Sequence, residues 1–232
     1  MKIVNQIRLI SNSLIDLIYP QYCEICNIDL TTKEHFLCLG CKYDLPYINQ
    51  SKRTLETLEK LFWGRVKVEH VIALLNYQKG NQTQKLLHQL KYNKKTKLAS
   101  HFGEIIGDLI KNVNEIDYLV PVPLHPKKKR IRGFNQSTVI ANGIHKTTNI
   151  PIIEHVISRD TFNKSQTNFS KFDRWDNVRR IFTVTKPELL KNKHIILIDD
   201  VLTTGATIEA CVQELIKVEG CKVTIAVMAA RV

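Results

Sequence analysis

The stretch from His194 to Thr207, HIILIDDVLTTGAT, ends an apolar run in two adjacent carboxylates and follows them with hydroxyls around a single glycine. A continuous apolar run of this length predicts a buried strand, and in an open α/β sheet ligands sit beyond the carboxyl ends of strands, which is where Asp199 and Asp200 fall. The loop Val201, Leu202, Thr203, Thr204, Gly205, Ala206, Thr207 then enters ATIEACVQELIKVEG, an amphipathic helix whose first-turn amides have no partner within the helix and carry partial positive charge. Hydroxyls and amides around a glycine form a cup for phosphate, because Gly205 lets the backbone curl close to the anion. Two carboxylates beside that cup would repel a naked polyphosphate, so they suit sugar hydroxyls or a divalent cation. A ribose 5-phosphate meets both demands. The chain has neither G-x-x-x-x-G-K-[ST] nor G-x-G-x-x-G, which excludes a P-loop ATPase strand and the usual dinucleotide fingerprint. The purely structural alternative is a helix capped by Thr207, yet one cap does not require two aspartates and three threonines.

A second group of chemically able residues is Cys23, Cys26, Cys38 and Cys41, spaced C-x2-C-x11-C-x2-C. Two residues between thiolates form a knuckle that presents both sulfurs to one ion, and two knuckles complete a tetrahedral zinc site. Disulfides are the competing reading, disfavoured by a reducing compartment. Four thiolates leave no open position for substrate, so the zinc is structural; His35 ranks below the cysteines as a ligand. Cys211 shares a helical face with Ile208, Val212 and Leu215 and reads as a small core residue.

The third group is cationic. VPVPLHPKKKRIRGFNQS, Val120 to Ser137, sets a proline-punctuated turn after a strand and then a flexible basic loop, in which Lys127, Lys128, Lys129, Arg130 and Arg132 could close over a pyrophosphate or a phosphodiester backbone. Farther on, Arg159, Gln166, Arg174 and Asn177 are interleaved with Phe162, Phe169, Phe172 and Trp175. Two readings of that segment stand: aromatic side chains stacking bases while arginines track phosphates, or aromatics packed in the core beside arginines that are solvated or hold pyrophosphate.

Elements must bring these groups together. From residue 68 onward strands and helices alternate: VEHVIALLNY extended, TQKLLHQLKY and KLASHFGEIIGDLIKN helical, DYLVPVP extended, NQSTVIANGIHKTT helical, PIIEHVISR and HIILID extended, a further helix, and KVTIAVMAA extended. Continuous apolar runs of that kind predict an α/β fold, a parallel sheet flanked by helices, over 68–232. Residues 21–48 form the small N-terminal zinc-binding module and 49–67, polar and charged, a connector. Ile3, Ile7, Ile10, Leu14 and Leu17 give 1–20 one apolar stripe, that of an amphipathic helix docked on its own protein or touching a membrane surface. No apolar run reaches the roughly 18 residues of a transmembrane segment and no signal-peptide pattern is present, so the expected location is the cytoplasm. With 34 Lys+Arg against 22 Asp+Glu, the formal charge of +12 favours polyanionic partners.

The run of apolar residues, two acids and T-T-G-x-T resembles the phosphoribosyl pyrophosphate motif of type I phosphoribosyltransferases. By that resemblance Asp199 and Asp200 hold ribose hydroxyls, residues 201–207 hold the 5-phosphate, and Mg²⁺ accompanies the donor. The four-cysteine module, V-P-V-P-L-H-P, R-G-F-N-Q, the R…Q…R-x-x-N segment and D-D-V-L-T-T-G-A-T together resemble the ComF family of bacterial competence proteins, over nearly the whole chain. That resemblance implies a part in natural transformation, where incoming single-stranded DNA enters the cytoplasm beside a competence helicase. Three roles stay open. One is an Mg²⁺-dependent phosphoribosyltransferase in which Asp199 and Asp200 position the ribose and Arg132 stabilises departing pyrophosphate. The second is a single-stranded DNA-binding module, and the third a scaffold whose zinc module docks a helicase.

Overall fold

The computed structural model describes residues 21–31, 34–92, 95–111, 113, 115–159 and 181–232. The expected amphipathic segment 1–20 and the positions Phe162, Gln166, Phe169, Phe172, Arg174, Trp175 and Asn177 lie outside the described residues. In chain order the elements are α1 (Leu39–Tyr43), α2 (Lys52–Glu59), β1 (Val71–Asn76), α3 (Gln82–Tyr92), α4 (Thr96–Ile110), β2 (Tyr118–Pro121), α5 (Pro126–Arg132), α6 (Gln136–Thr148), β3 (Ile157–Arg159), β4 (Phe182–Val184), β5 (His194–Leu202), α7 (Ala206–Leu215) and β6 (Lys222–Ala230).

Four strands form a parallel sheet in the order β1-β6-β5-β2. The apolar runs in β5 and β6 are buried on both faces, which is why they read as continuous rather than alternating. Ile196, Ile198 and Met228 meet Leu86, Leu90, Phe102, Ile106, Ile140 and Ile144 from α3, α4 and α6 on one face. Ile195, Leu197 and Val227 meet Leu58, Phe62, Ile208, Val212 and Leu215 on the other. The chain therefore leaves β2 toward one face and β5 toward the opposite face. Where two neighbouring strands part in this way, the crevice position between their carboxyl ends is the usual ligand position in such sheets.

Close packing fixes α6, the second helix after β2. At the α4–α6 crossing a Cβ on Gly103 would overlap the Ile140 carbonyl oxygen, and one on Gly143 would overlap the Ser100 carbonyl oxygen. The two backbones touch because neither residue carries a side chain.

Three segments differ from the sequence expectation. PIIEHVISR is not one strand of the main sheet. Ile152 makes a single parallel bridge to Leu119, His155 turns the chain at φ 62°, and β3 pairs antiparallel with β4 in a separate ribbon. The basic run is not a loop but the helix α5: Pro126 supplies a first position that needs no N–H partner, His125 Nδ1 accepts from the Lys127 amide at 3.2 Å, and Gly133 at φ 80° ends it. The polar passage 49–67 contains α2, and its Leu58 and Phe62 are buried against the sheet domain. Cys211 is fully buried, as its helical face predicts. Among the described residues no helix is long and apolar enough to cross a membrane.

Candidate functional site

Asp199 and Asp200 lie in the carboxyl-terminal half of β5, partly buried, beside β6, with Asp199 paired to Val227. Beyond them Thr203 and Thr204 are exposed, and Gly205, at φ 81°, is the N-cap of α7. That φ is the left-handed region that glycine enters at no steric cost. Phe62 lies beneath, 3.3 Å from where a Cβ would stand, so the turn is both bent and supported. The cap residue offers no side-chain acceptor; Thr204 Oγ1 sits 3.5 Å from the Ala206 amide, a weak contact. Thr207 is inside the helix and not its cap. The N-cap thus leaves first-turn amides of α7 without a side-chain cap, as an anion cup requires, and the one acid in that turn, Glu209, is paired with Arg65 at 2.9 Å.

The opposite wall comes from R-G-F-N-Q-S. Asn135 caps α6, its Oδ1 accepting from the Ser137 amide at 3.2 Å, and its Nδ2 donates to the Val122 carbonyl at 2.9 Å, tying the helix to the chain leaving β2. Ser137 Oγ donates to Asp199 Oδ1 at 3.0 Å, joining the two walls. Gln136 is buried; its Oε1 accepts from Arg132 at 3.0 Å, while its Nε2 has no hydrogen-bond partner among the described residues. Lys127, Lys128, Lys129 and Arg130 are exposed on α5, which has no buried residue, and Ile131 projects among them at 77% exposure. Arg159 stacks over Phe182, its guanidinium 5.2 Å from the ring centre, on β3 and β4. Burial, then the Asp199 charge, raise the Cys211 thiol while Arg159 lowers it, which places these three groups in one neighbourhood. Arg174 lies outside the described residues.

Two carboxylates this close cannot both ionise freely. Burial first, and then the Asp200 charge, raise Asp199 to about 7, against hydrogen bonds from the Asp200 amide at 2.9 Å and from Ser137. The countercharge is Lys91, at the end of α3, whose Nζ lies 3.0 Å from Asp200 Oδ2. Neither Lys91 nor Ser137 stands out in the sequence: one looks like any lysine on an amphipathic helix, the other like any residue in a first turn. The hint for Ser137 was its place two residues after a capping asparagine.

At the other end of the chain the Sγ atoms of Cys23, Cys26, Cys38 and Cys41 lie within 4.8 Å of one another, with Cys26 and Cys38 3.6 Å apart. A disulfide would need about 2.05 Å, whereas a tetrahedral ion with four sulfurs at about 2.3 Å separates them by about 3.8 Å. The donor set and spacing fit a structural tetrahedral metal; His35 is not part of it. Burial opposes ionisation of Cys23, but the amides of Cys26, Cys38 and Ile25 outweigh it and bring that thiol down to about 7.

A carboxyl whose folded pKa is raised favours folding when protonated, so its ionisation removes stability between the unfolded value near 4 and about 7. Asp199→Asn keeps an oxygen for both hydrogen bonds and cannot ionise. In paired thermal unfolding of the ligand-free proteins, the variant should melt higher than wild type at pH 8 by a few degrees, the gap narrowing toward pH 5. A gap independent of pH would refute the shift.

Comparison with known proteins follows the same lines. Residues 131–232, which hold α6, β5 and α7, match the family model described as phosphoribosyl transferase domain. The chain is 25% identical over 138 residues to DNA utilization protein YhgH of Escherichia coli, covering 57% of this chain and 60% of that one. It is 30% identical over 92 residues to competence protein F of Haemophilus influenzae, with 39% and 40% covered, and 33% identical over 90 residues to competence protein ComFC of Bacillus subtilis, with 39% and 34% covered. The matched stretch thus spans 60% of the Escherichia coli relative and less of the other two. The transferase match over the carboxylate strand and its loop, these competence-named relatives and the four-cysteine cluster support a ComF-family phosphoribosyltransferase-like protein, built as a parallel sheet flanked by helices.

Proposed function

We propose that the crevice binds phosphoribosyl pyrophosphate, or a related phosphoribosyl ligand, together with Mg²⁺, and that the protein serves DNA uptake or utilisation. The observation that carries this reading is the dyad Asp199–Asp200 leading within five residues to an uncapped helix N-terminus behind Gly205. Asp199 and Asp200 accept from the ribose hydroxyls. The amides of 203–207, with Thr203, Thr204 and Thr207, take the 5-phosphate. Mg²⁺ would enter with the donor and supply charge neutralisation of its pyrophosphate. Arg132, held by Gln136, stands on the wall where that group lies. If an acceptor nitrogen is bound as well, its bond to C1 forms as the C1–O bond to pyrophosphate breaks and the acceptor's proton passes to solvent, with catalysis mainly electrostatic. The names of the relatives, competence protein and DNA utilization protein, support placing this chemistry beside DNA.

A second surface supports a DNA contact. On α5 the cations Lys127–Arg130 surround the exposed Ile131, a charged ridge with an apolar tip at the rim of the crevice, suited to a phosphate backbone and the face of a base. Cys23, Cys26, Cys38 and Cys41 hold zinc as a structural ion that fixes the N-terminal module.

Calorimetric titration of phosphoribosyl pyrophosphate with Mg²⁺ should show binding by wild type and a loss of roughly tenfold or more in an Asp199→Asn, Asp200→Asn double variant, because each charged acceptor contributes about 1.5–3 kcal/mol. Equal affinities would refute the ribose assignment. Metal analysis should find one zinc per chain, and its removal by a chelator should lower Tm by on the order of 10 °C, equivalent to about 3 kcal/mol at this length; a metal-free protein of unchanged Tm would contradict the structural role. Replacing Lys127, Lys128, Lys129 and Arg130 with glutamine should weaken single-stranded DNA binding and flatten its salt dependence by about 0.7 per lost phosphate contact. An unchanged slope would remove α5 from the DNA contact.

A further inference from the structure

We infer that Lys91 is a substrate-contacting residue, the cation that passes from Asp200 to the pyrophosphate group of the bound donor, so that the site selects a pyrophosphorylated ribose over ribose 5-phosphate. The inference rests on the phosphoribosyl reading above.

Lys91 lies in the last turn of α3, where a lysine would ordinarily reach for its own helix's terminal carbonyls. Instead its ammonium crosses to β5 and stands 3.0 Å from Asp200 Oδ2, with 24% of its side chain and 13% of the Asp200 side chain exposed. The pair is therefore neither a solvated surface bridge nor sealed in the core. Its helix is held in place: Leu86, Leu87 and Leu90 are buried, and Lys95 just beyond it bonds Glu24 of the cysteine module at 2.9 Å. A cation on so firmly seated an element is placed in advance for a ligand.

Charge balance supplies the rest. Without ligand, Lys91 is the partner that makes Asp200 tolerable beside Asp199. The incoming donor brings hydroxyls to the carboxylates and more negative charge beside them. A ribose with its C5 end at the Gly205 cup has C1 and C2 at the opposite end of the ring. The carboxylate that receives those hydroxyls thus brings the Lys91 ammonium close to the group on C1. An ammonium has three N–H donors, so it can keep one on Asp200 while others turn to pyrophosphate oxygens. As the C1–O bond breaks, the same ammonium faces the charge that accumulates on the leaving group. Ribose 5-phosphate must loosen the same ion pair and offers no anion at C1 in return. That asymmetry is the source of the selectivity.

The test is displacement calorimetry on the zinc-loaded full chain, with phosphoribosyl pyrophosphate and ribose 5-phosphate as separate probes, each with Mg²⁺, against wild type, Lys91→Met and Lys91→Arg. Lys91→Met should lose about tenfold or more in affinity for phosphoribosyl pyrophosphate and keep its ribose 5-phosphate affinity within about twofold, while Lys91→Arg keeps most of both. An equal loss for the two ligands would make Lys91 a mere support for Asp200 and overturn the inference, as would unchanged affinity for phosphoribosyl pyrophosphate. Wild type binding neither ligand would instead overturn the phosphoribosyl reading itself. Should Lys91→Met fail to fold, Lys91→Gln, which can still donate to Asp200, carries the same comparison.

Discussion

Two like charges side by side at the end of a buried strand are the constraint to which the rest of the site answers. In water the repulsion between Asp199 and Asp200 would be small; at the end of β5 burial, and after it the Asp200 charge, holds Asp199 up to about 7. Each neighbour offsets part of it. Ser137 and the Asp200 amide both donate to Asp199, and Lys91 meets Asp200. These partners come from α6, from the strand itself and from α3, so three separate elements must arrive at one point. A fold that stabilised itself alone would bury aliphatic residues there. Perturbed carboxyls recur where ligands bind, and the retained cost supports the proposed binding role of this site.

The scaffold's particular features follow from delivering those partners. The glycine contact between α4 and α6 lets α6 sit close enough for Asn135 to bond the backbone after β2 and Ser137 to reach β5. Phe62 supports the turn at Gly205 from the other face, which gives the polar passage around α2 a part in shaping the loop 203–207. The cysteine module contributes from a distance: Cys23, Leu37 and Cys41 join the same apolar cluster as Leu86 and Leu90 of α3, and Glu24 bonds Lys95. A metal there would stiffen the helix that carries Lys91. The module and the sheet thus share a packed core rather than standing apart.

What the sequence made legible was local chemistry. Asp199, Asp200 and Gly205 stand within seven residues of one another, and the paired C-x2-C knuckles carry their geometry in their spacing. The sheet was legible because buried parallel strands are continuous apolar runs. Long-range pairings were not: no periodicity connects Lys91 to Asp200 or Phe62 to Gly205. The helix α5 is hard to read from sequence because a basic run preceded by prolines resembles a turn, although Pro126 at a helix start and Gly133 at its end are the residues that bound a short helix. PIIEHVISR misled in the opposite direction, since its apolar content suits a strand while His155 breaks the extension.

On the proposed reading the carboxylate dyad and the α7 amides hold one phosphoribosyl group between them. The most direct measurement is a crystal structure of the zinc-loaded protein grown with phosphoribosyl pyrophosphate and Mg²⁺. The 5-phosphate should lie on the amides following Thr203 and both ribose hydroxyls on Asp199 and Asp200. A ligand bound with its ribose away from the carboxylates, for instance on α5 alone, would contradict it.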